Sequence, residues 1–201
     1  DISKLSKINP SAVICEVMNE DGRMARLKDL KKFSKKHKIK IASIEDLIAY
    51  RLRNEKLISR ESIRDFKYDK KSNFEYINYI NKLDGTNNYV IKSGKLSPNK
   101  SIRVRVISTK IKSLKSIIKD FNLKKSLKYL TKFNNFLLVV INNQIKEKKE
   151  NENLTLRYYG IGAQIIKDLK VKNMILVTRT RKKIIGLEGF GLKIKKQEII
   201  K

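Results

Sequence analysis

The spacing of apolar positions changes several times along the chain, and each change predicts an element. SAVICEV (11–17) is a nearly continuous apolar run with β-branched members, the pattern of a buried strand. NEDG (19–22) follows as a turn signal, with Gly22 free to take positive φ. In LKDLKKFSKKHKIK (27–40) the apolar residues fall at 27, 30 and 33 and lysines fill the other face, which predicts an amphipathic helix with His37 near its end. IKIAS (39–43) reads as a short strand. Ser43 caps the next predicted helix, IEDLIAYRLRNEKL, which has Glu45 and Asp46 in its first turn and runs to about residue 57.

A polar, charge-rich stretch (54–72) interrupts this strand–helix alternation, and the domain boundary is placed within it, near 55–65. A different texture follows. FEYINYINKLDGTNNYVIKSG (74–94) reads as antiparallel β around the turn LDGTNN, and SPNK (97–100) as another turn. SIRVRVIS (101–108) alternates, with Ile102, Val104 and Val106 on one face. Residues 110–134 are helical in pattern and Lys-rich, FLLVVI (136–141) is a buried strand, and NNQIKEKKENEN (142–153) is a polar connector. GIGAQIIKDLKV (160–171) reads as a helix entered after a Gly-rich turn, MILVT (174–178) as a strand and RTRKK (179–183) as a basic loop. The Gly-punctuated unit 184–196 closes the pattern with a last strand. The glycines of YGIG and GLEGFG lack the spacing of a dinucleotide fingerprint and are read as tight-turn and close-packing positions. The predicted class is α/β (α+β), in two parts.

Composition narrows the chemistry. The 201 residues contain one Cys (Cys15) and one His (His37), too few for a zinc site built from the usual thiolate and imidazole ligands. Any chemistry must therefore rest on carboxylates or on parts outside this sequence. A lone Cys also excludes an internal disulfide, which suits a reducing, cytoplasmic setting. The run FLLVVI (136–141) is too short to span a bilayer, and DISKLSKINP lacks the apolar core of a signal peptide and an initiator Met. The chain is read as a processed product or a fragment without a membrane partner. The net charge of +28 is spread along the chain rather than gathered in one block, and no nucleic-acid-binding motif accompanies it. It is read as a lysine-rich solvated surface rather than a specific nucleic-acid interface.

Three features in 11–51 carry a family likeness: CEVMNEDGRMARL, the F-x3-H spacing of Phe33 and His37, and DLIAYR. This segment resembles the C-terminal part of 3,4-dihydroxy-2-butanone 4-phosphate synthase, a lyase of the riboflavin pathway. NKLDGTNNYVIKSGKLSPNKSIRVRVIS (81–108) and the segment 159–194 are similar to the beginning and end of GTP cyclohydrolase II, which follows the synthase in bifunctional riboflavin proteins. The resemblance implies the end of a synthase α/β domain over 1–55, a linker over 56–72 and a cyclohydrolase-II-like mixed α/β domain over 73–201. It implies conversion of D-ribulose 5-phosphate to L-3,4-dihydroxy-2-butanone 4-phosphate and formate by the parent protein, as a homodimer. Glu16 is then the active-site carboxylate that contacts the sugar phosphate and moves protons on and off its carbons. The family's Mg2+ or Mn2+ is held by residues upstream of this segment. Cys15, inside an apolar run, is read as packing, and His37 as a packing or capping residue rather than a ligand.

The second segment departs from its family. The cyclohydrolase holds zinc through three cysteines after a His-Ser-Glu-like strand end, but here Ile107, Thr109 and Lys110 stand at the His, Glu and first Cys positions. Residues 111–130 contain no Cys, Gln144 alone remains of the Gln-Glu-Gly-Arg-Gly element, and Thr155 replaces the general-base acid. Arg157, Thr178 and Lys183 match family residues that contact GTP or act beside it, and are candidate vestigial nucleotide-binding residues. No zinc and no cyclohydrolase activity are expected. The alternative to an enzymatic reading is a non-catalytic structural, dimerising or nucleotide-binding regulatory module.

Overall fold

The computed structural model describes residues 1–68, 73–111, 116, 119–143, 152–181 and 187–200, with 152–157 and 188 as backbone. The chain forms two compact units, Asp1–Ile44 and Glu45–Lys201.

The first unit is small. It holds the single turn of helix α1 (Ile2–Leu5) and the amphipathic helix α2 (Leu27–His37), neither with a buried residue. Asp29 accepts the backbone N–H of Arg26 at 3.0 Å and so satisfies a donor that the first turn of α2 leaves orphaned. That bond, followed by one from Asn19, lowers the Asp29 pKa. The predicted turn at 19–22 is present: Gly22 takes φ +79° and its N–H bonds Asn19 O at 2.9 Å.

Two expectations fail in this unit. The run 11–17 is extended but belongs to no strand, and only a Met18–Met24 bridge follows it. Val13 is 99% exposed and Ile14 93%, and Cys15, expected to pack, is exposed. An apolar strand becomes buried only when neighbours cover both faces, and no paired strand flanks it among the described residues of this unit. Residues 39–43, expected as a strand, follow a left-handed Lys38 (φ +54°) and likewise have no sheet to join.

The second unit opens within helix α3 (Ile44–Asn54) and is organised by a seven-stranded sheet, with strands β1 (Ile58–Lys67), β2 (Asn73–Asn81), β3 (Asn87–Ser93), β4 (Ser101–Thr109), β5 (Phe136–Asn142), β6 (Asn173–Thr178) and β7 (Lys193–Ile199). Their order is β1-β2-β3-β5-β4-β6-β7. β1, β2 and β3 form an antiparallel meander, and β3 pairs antiparallel with β5. β5, β4, β6 and β7 are mutually parallel. Helix α4 (Phe121–Leu130) connects β4 to β5, and helix α5 (Glu152–Asp168) connects β5 to β6.

These two crossovers step in opposite directions along the sheet. Right-handed connections therefore place their helices on opposite faces. Val104, Leu137, Val139 and Leu176 pack with Ile161, Ile165 and Ile166 of α5, and with Leu52 of α3. Leu138, Val140 and Val177 pack on the other face with Leu123, Leu127 and Leu130 of α4. β5 is central and covered on both sides, so every one of its residues is buried, as its unbroken apolar run demands.

The stretch expected to be a polar linker holds β1. Its register with β2 runs from Ile58–Asn81 to Lys67–Asn73, with a bulge between Arg60 and Ser62. As an edge strand it buries only Ile58 and Phe66. Gly160 and Gly162, read as tight-turn and close-packing positions at the start of a helix over 160–171, lie inside α5, which begins earlier, at Glu152. A Cβ on Gly160 would stand 2.5 Å from Leu52 Cδ1, so close packing rather than chain reversal explains this glycine. The Lys-rich helical stretch is seen as α4, whose first turn is capped by Asp120 Oδ1 accepting Leu123 N–H at 2.9 Å.

Candidate functional site

The parallel half of the sheet has a topological switch point between β4 and β6, where connections leave in opposite directions. Open α/β sheets bind ligands in the crevice at the carboxyl ends of strands at such a point. Here the strands also part. β4–β6 pairing ends at Val104–Leu176, although β4 stays paired with β5 to Thr109–Asn142 and β6 with β7 to Thr178–Ile199.

Arg105 is the first β4 residue beyond the last β4–β6 pair. It is 9% exposed, and its Nη1 donates to Val177 O of the parted strand at 2.9 Å. Among the described residues its Nε has no partner. Burial, and next the positive charge of Arg179, lower its pKa. Arg179 itself donates to Asn122 Oδ1 at the start of α4. Thr178, the last residue of β6, is 5% exposed and its Oγ1 also lacks a partner among the described residues. Its carbonyl is occupied, accepting Ile200 N–H at 2.9 Å. Two buried polar groups without partners beside a parted strand pair cost stability. Two adjacent guanidiniums, with no carboxylate paired to either among the described residues, give the crevice an anion-seeking character.

Arg103, two residues earlier on β4, shows the contrast. Its Nε and Nη2 donate to the two oxygens of Glu198 at 2.9 and 3.1 Å, and its guanidinium stacks 3.6 Å from the Phe133 ring centroid. Burial alone would raise the Glu198 pKa, but hydrogen bonds from Arg103 and Tyr129 outweigh it and hold the carboxyl below its usual range. A second satisfied cluster lies on the other side of the domain. Asp168, at the end of α5, accepts Arg60 Nη2 at 2.6 Å and the Tyr79 hydroxyl at 2.8 Å, with Lys56 Nζ at 3.2 Å. Both clusters are saturated ties between elements, whereas the Arg105 crevice keeps a cationic donor without an acceptor.

Of the residues singled out from sequence, Thr178 lies at the crevice. Arg157 lies on α5, described as backbone, and Lys183 is outside the described residues, as is Gln144. Glu16 is in the first unit, exposed, its carbonyl accepting the Cys15 thiol at 3.4 Å. Sequence pattern passes over Arg105 because strand alternation places it opposite the apolar face of Val104 and Val106. The available signal is that β4 lies next to an all-apolar strand and so has two covered faces. Among the described residues no three His, Cys, Asp or Glu side chains converge as a metal-binding group. His37 lies against Phe33, with ring centroids 4.4 Å apart.

Switch-point crevice, opposed helices and antiparallel extension define a mixed α/β domain, preceded in the chain by the short first unit. Residues 1–50 match the family model described as 3,4-dihydroxy-2-butanone 4-phosphate synthase, and residues 125–199 match that of GTP cyclohydrolase II. The chain is 36% identical over 231 residues to a riboflavin biosynthesis protein RibBA of Aquifex aeolicus, covering 100% of this chain and 56% of the relative. It is 31% identical over 217 residues to a 3,4-dihydroxy-2-butanone 4-phosphate synthase of Photobacterium phosphoreum, covering 96% and 58%. The crystal structure of RibBX, a two-domain 3,4-dihydroxy-2-butanone 4-phosphate synthase from A. baumannii, superposes with a TM-score of 0.77 at 27% identity, covering 99% of this chain and 57% of that one. The chain spans about half the length of these relatives. A segment that matches the 3,4-dihydroxy-2-butanone 4-phosphate synthase family is thus followed by one that matches the GTP cyclohydrolase II family, and the similar proteins include riboflavin biosynthesis proteins.

Proposed function

We propose that the protein serves riboflavin biosynthesis as a synthase, with Glu16 in the site that converts ribulose 5-phosphate to 3,4-dihydroxy-2-butanone 4-phosphate and formate. The carrying observation is the synthase match over residues 1–50, the segment that contains Glu16. The relatives' names support it. Two of the three described above are named only as synthases, yet align with 96% and 99% of this chain, cyclohydrolase-family domain included. Glu16 supplies an exposed carboxylate able to accept and return a proton during enolisation of the sugar. Mg2+ or Mn2+ belongs to this reading, and the described residues bring together no group of three His, Cys, Asp or Glu side chains to hold it. The reading also carries a homodimer and a cytoplasmic setting; no described helix is long and apolar enough to cross a membrane. The test is formate release from ribulose 5-phosphate by the natural gene product. Glu16→Gln is expected to lower kcat about 100-fold or more. Absence of formate from the unmodified protein refutes the reading.

A second reading concerns the cyclohydrolase-family domain, which we take to bind a nucleotide or phosphate without turning over GTP. The favouring observation is Arg105, buried at the switch point with a free Nε beside Arg179. An oxyanion there gives the Arg105 Nε an acceptor and both guanidiniums an opposite charge. Calorimetry with GTP and with pyrophosphate, at low and moderate ionic strength, tests it. Saturable binding that survives moderate salt and is lost in Arg105→Met supports a site. Binding that salt removes is a property of the +28 net charge.

A further inference from the structure

Helix α3 belongs to one family by sequence and to the other domain by structure. The synthase match extends through residue 50, six residues into this helix from Glu45, yet residues 45–54 are part of the second unit. Ile48, inside the match, packs on the core that contains Leu52.

Three residues of the cyclohydrolase-family domain receive this helix. Gly160 lets α5 approach Leu52: an added Cβ would meet its Cδ1, Cδ2 and Cγ at 2.5, 2.6 and 2.9 Å. Gly189 does the same for Arg53, whose Cδ lies 2.7 Å from the place a Cβ would take. Gln164, buried on α5, uses its whole amide. Nε2 donates to Leu52 O at 2.7 Å and Glu55 O at 2.9 Å, and Oε1 accepts Leu57 N–H at 2.9 Å. These are the carbonyls that a helix C-terminus leaves without intrahelical donors, and the first amide of the chain entering β1. One side chain thus closes α3 and starts the sheet, across 107 to 112 residues of sequence.

We propose that the cyclohydrolase-family domain acts as a clamp for the last helix of the synthase-family segment, with Gln164 as the positioning residue and α3 as the occupant of the Gly160–Gln164–Gly189 surface. The inference extends the reading of that domain as a non-catalytic module. It rests on the synthase-family assignment of residues 1–50 but not on any catalytic activity. The domain retains this surface whatever becomes of its zinc chemistry, because the clamp uses none of the residues that chemistry requires.

Amide hydrogen exchange of the 201-residue chain, read by NMR, tests it. Gln164→Leu removes all three bonds. Amides of residues 48–57 are expected to exchange about thirtyfold faster or more, with β4, β5 and β6 unchanged. Gln164→Glu keeps an acceptor for Leu57 but turns the two donors into a carboxylate facing carbonyls. It is expected to loosen the end of α3 while the Leu57 amide stays protected, a pattern that general destabilisation does not produce. Unchanged exchange over 48–57, or uniform acceleration across the sheet in both variants, overturns the proposal. Loss of formate release bears on the activity and leaves this result untouched.

Discussion

Adding one methyl at Gly160 pits two opposing energies against each other. Gly160 is buried within α5, so alanine gains about 1 kcal/mol of helix propensity. Its Cβ would lie 2.5–2.9 Å from three carbons of Leu52, well inside the roughly 3.5–4.0 Å of a normal contact. Leu52 is 3% exposed and held in the core, so it has little room to turn away. Overpacking of this kind costs about 1–3 kcal/mol, and three simultaneous collisions place it at the upper end. The expected net loss for Gly160→Ala is about 1–2 kcal/mol. Leu52→Ala alone should cost about 2–5 kcal/mol through lost burial and a cavity. In the double variant the new methyl enters that cavity, the collision vanishes and the helix gain remains. Gly160→Ala should then stabilise by about 1 kcal/mol in the Leu52→Ala background, a coupling of roughly 2–3 kcal/mol. Urea unfolding followed by circular dichroism measures it as a shift in midpoint at constant slope. Additivity within about 0.5 kcal/mol, or a stabilising single Gly160→Ala variant, refutes the close-approach argument.

Asp168 links stability to pH. Burial opposes its ionisation, but Arg60, Tyr79 and Lys56 outweigh that and lower its pKa below the usual value. A lowered folded pKa gives stability that is present above the unfolded value of about 3.9 and lost as pH falls through the folded value. Asp168→Asn should therefore cost about 2 kcal/mol near pH 7 and progressively less as pH falls below the unfolded value, as measured by denaturant unfolding across that range. A gap independent of pH refutes the assignment. Gly94 takes φ +68°, and a Cβ there would collide with Asn135 Oδ1 and stand 2.5 Å from Asn134 O. Gly94→Ala should lower Tm by about 5–10 °C, and an unchanged melt in a thermal scan contradicts the observed backbone.

Elements whose pattern reports a covered face are legible in the sequence. SIRVRVIS and FLLVVI form β4 and β5 because alternation and continuity record how many faces are buried. β1 escapes notice because an edge strand needs few apolar residues: ISRESIRDFK anchors itself with Ile58 and Phe66 and draws its pairing from β2. Gly160 leaves tight turn and close packing both open in the sequence, because a glycine signals either, and only the position of Leu52 decides for close packing. The run 11–17 shows the converse, for its composition asks for a covered strand that the described first unit does not provide. For the site, Thr178 is legible through family likeness. Arg105 is not, because its burial arises from the parting of β4 and β6, which is long-range information.

The reach of Gln164 has a temporal consequence during synthesis. Leu57 and its amide partner are separated by 107 residues. A ribosome adding about 5–20 residues per second needs roughly 5–20 seconds to cover that span. Throughout that interval the nascent chain presents Leu52, Leu57 and Ile58 without the helix that later covers them. The β1–β2–β3 meander closes from local contacts and can form first, offering those side chains one partial shelter. Chaperone capture on the ribosome should therefore peak while this stretch is outside the exit tunnel and fade once residues 160–169 have followed it.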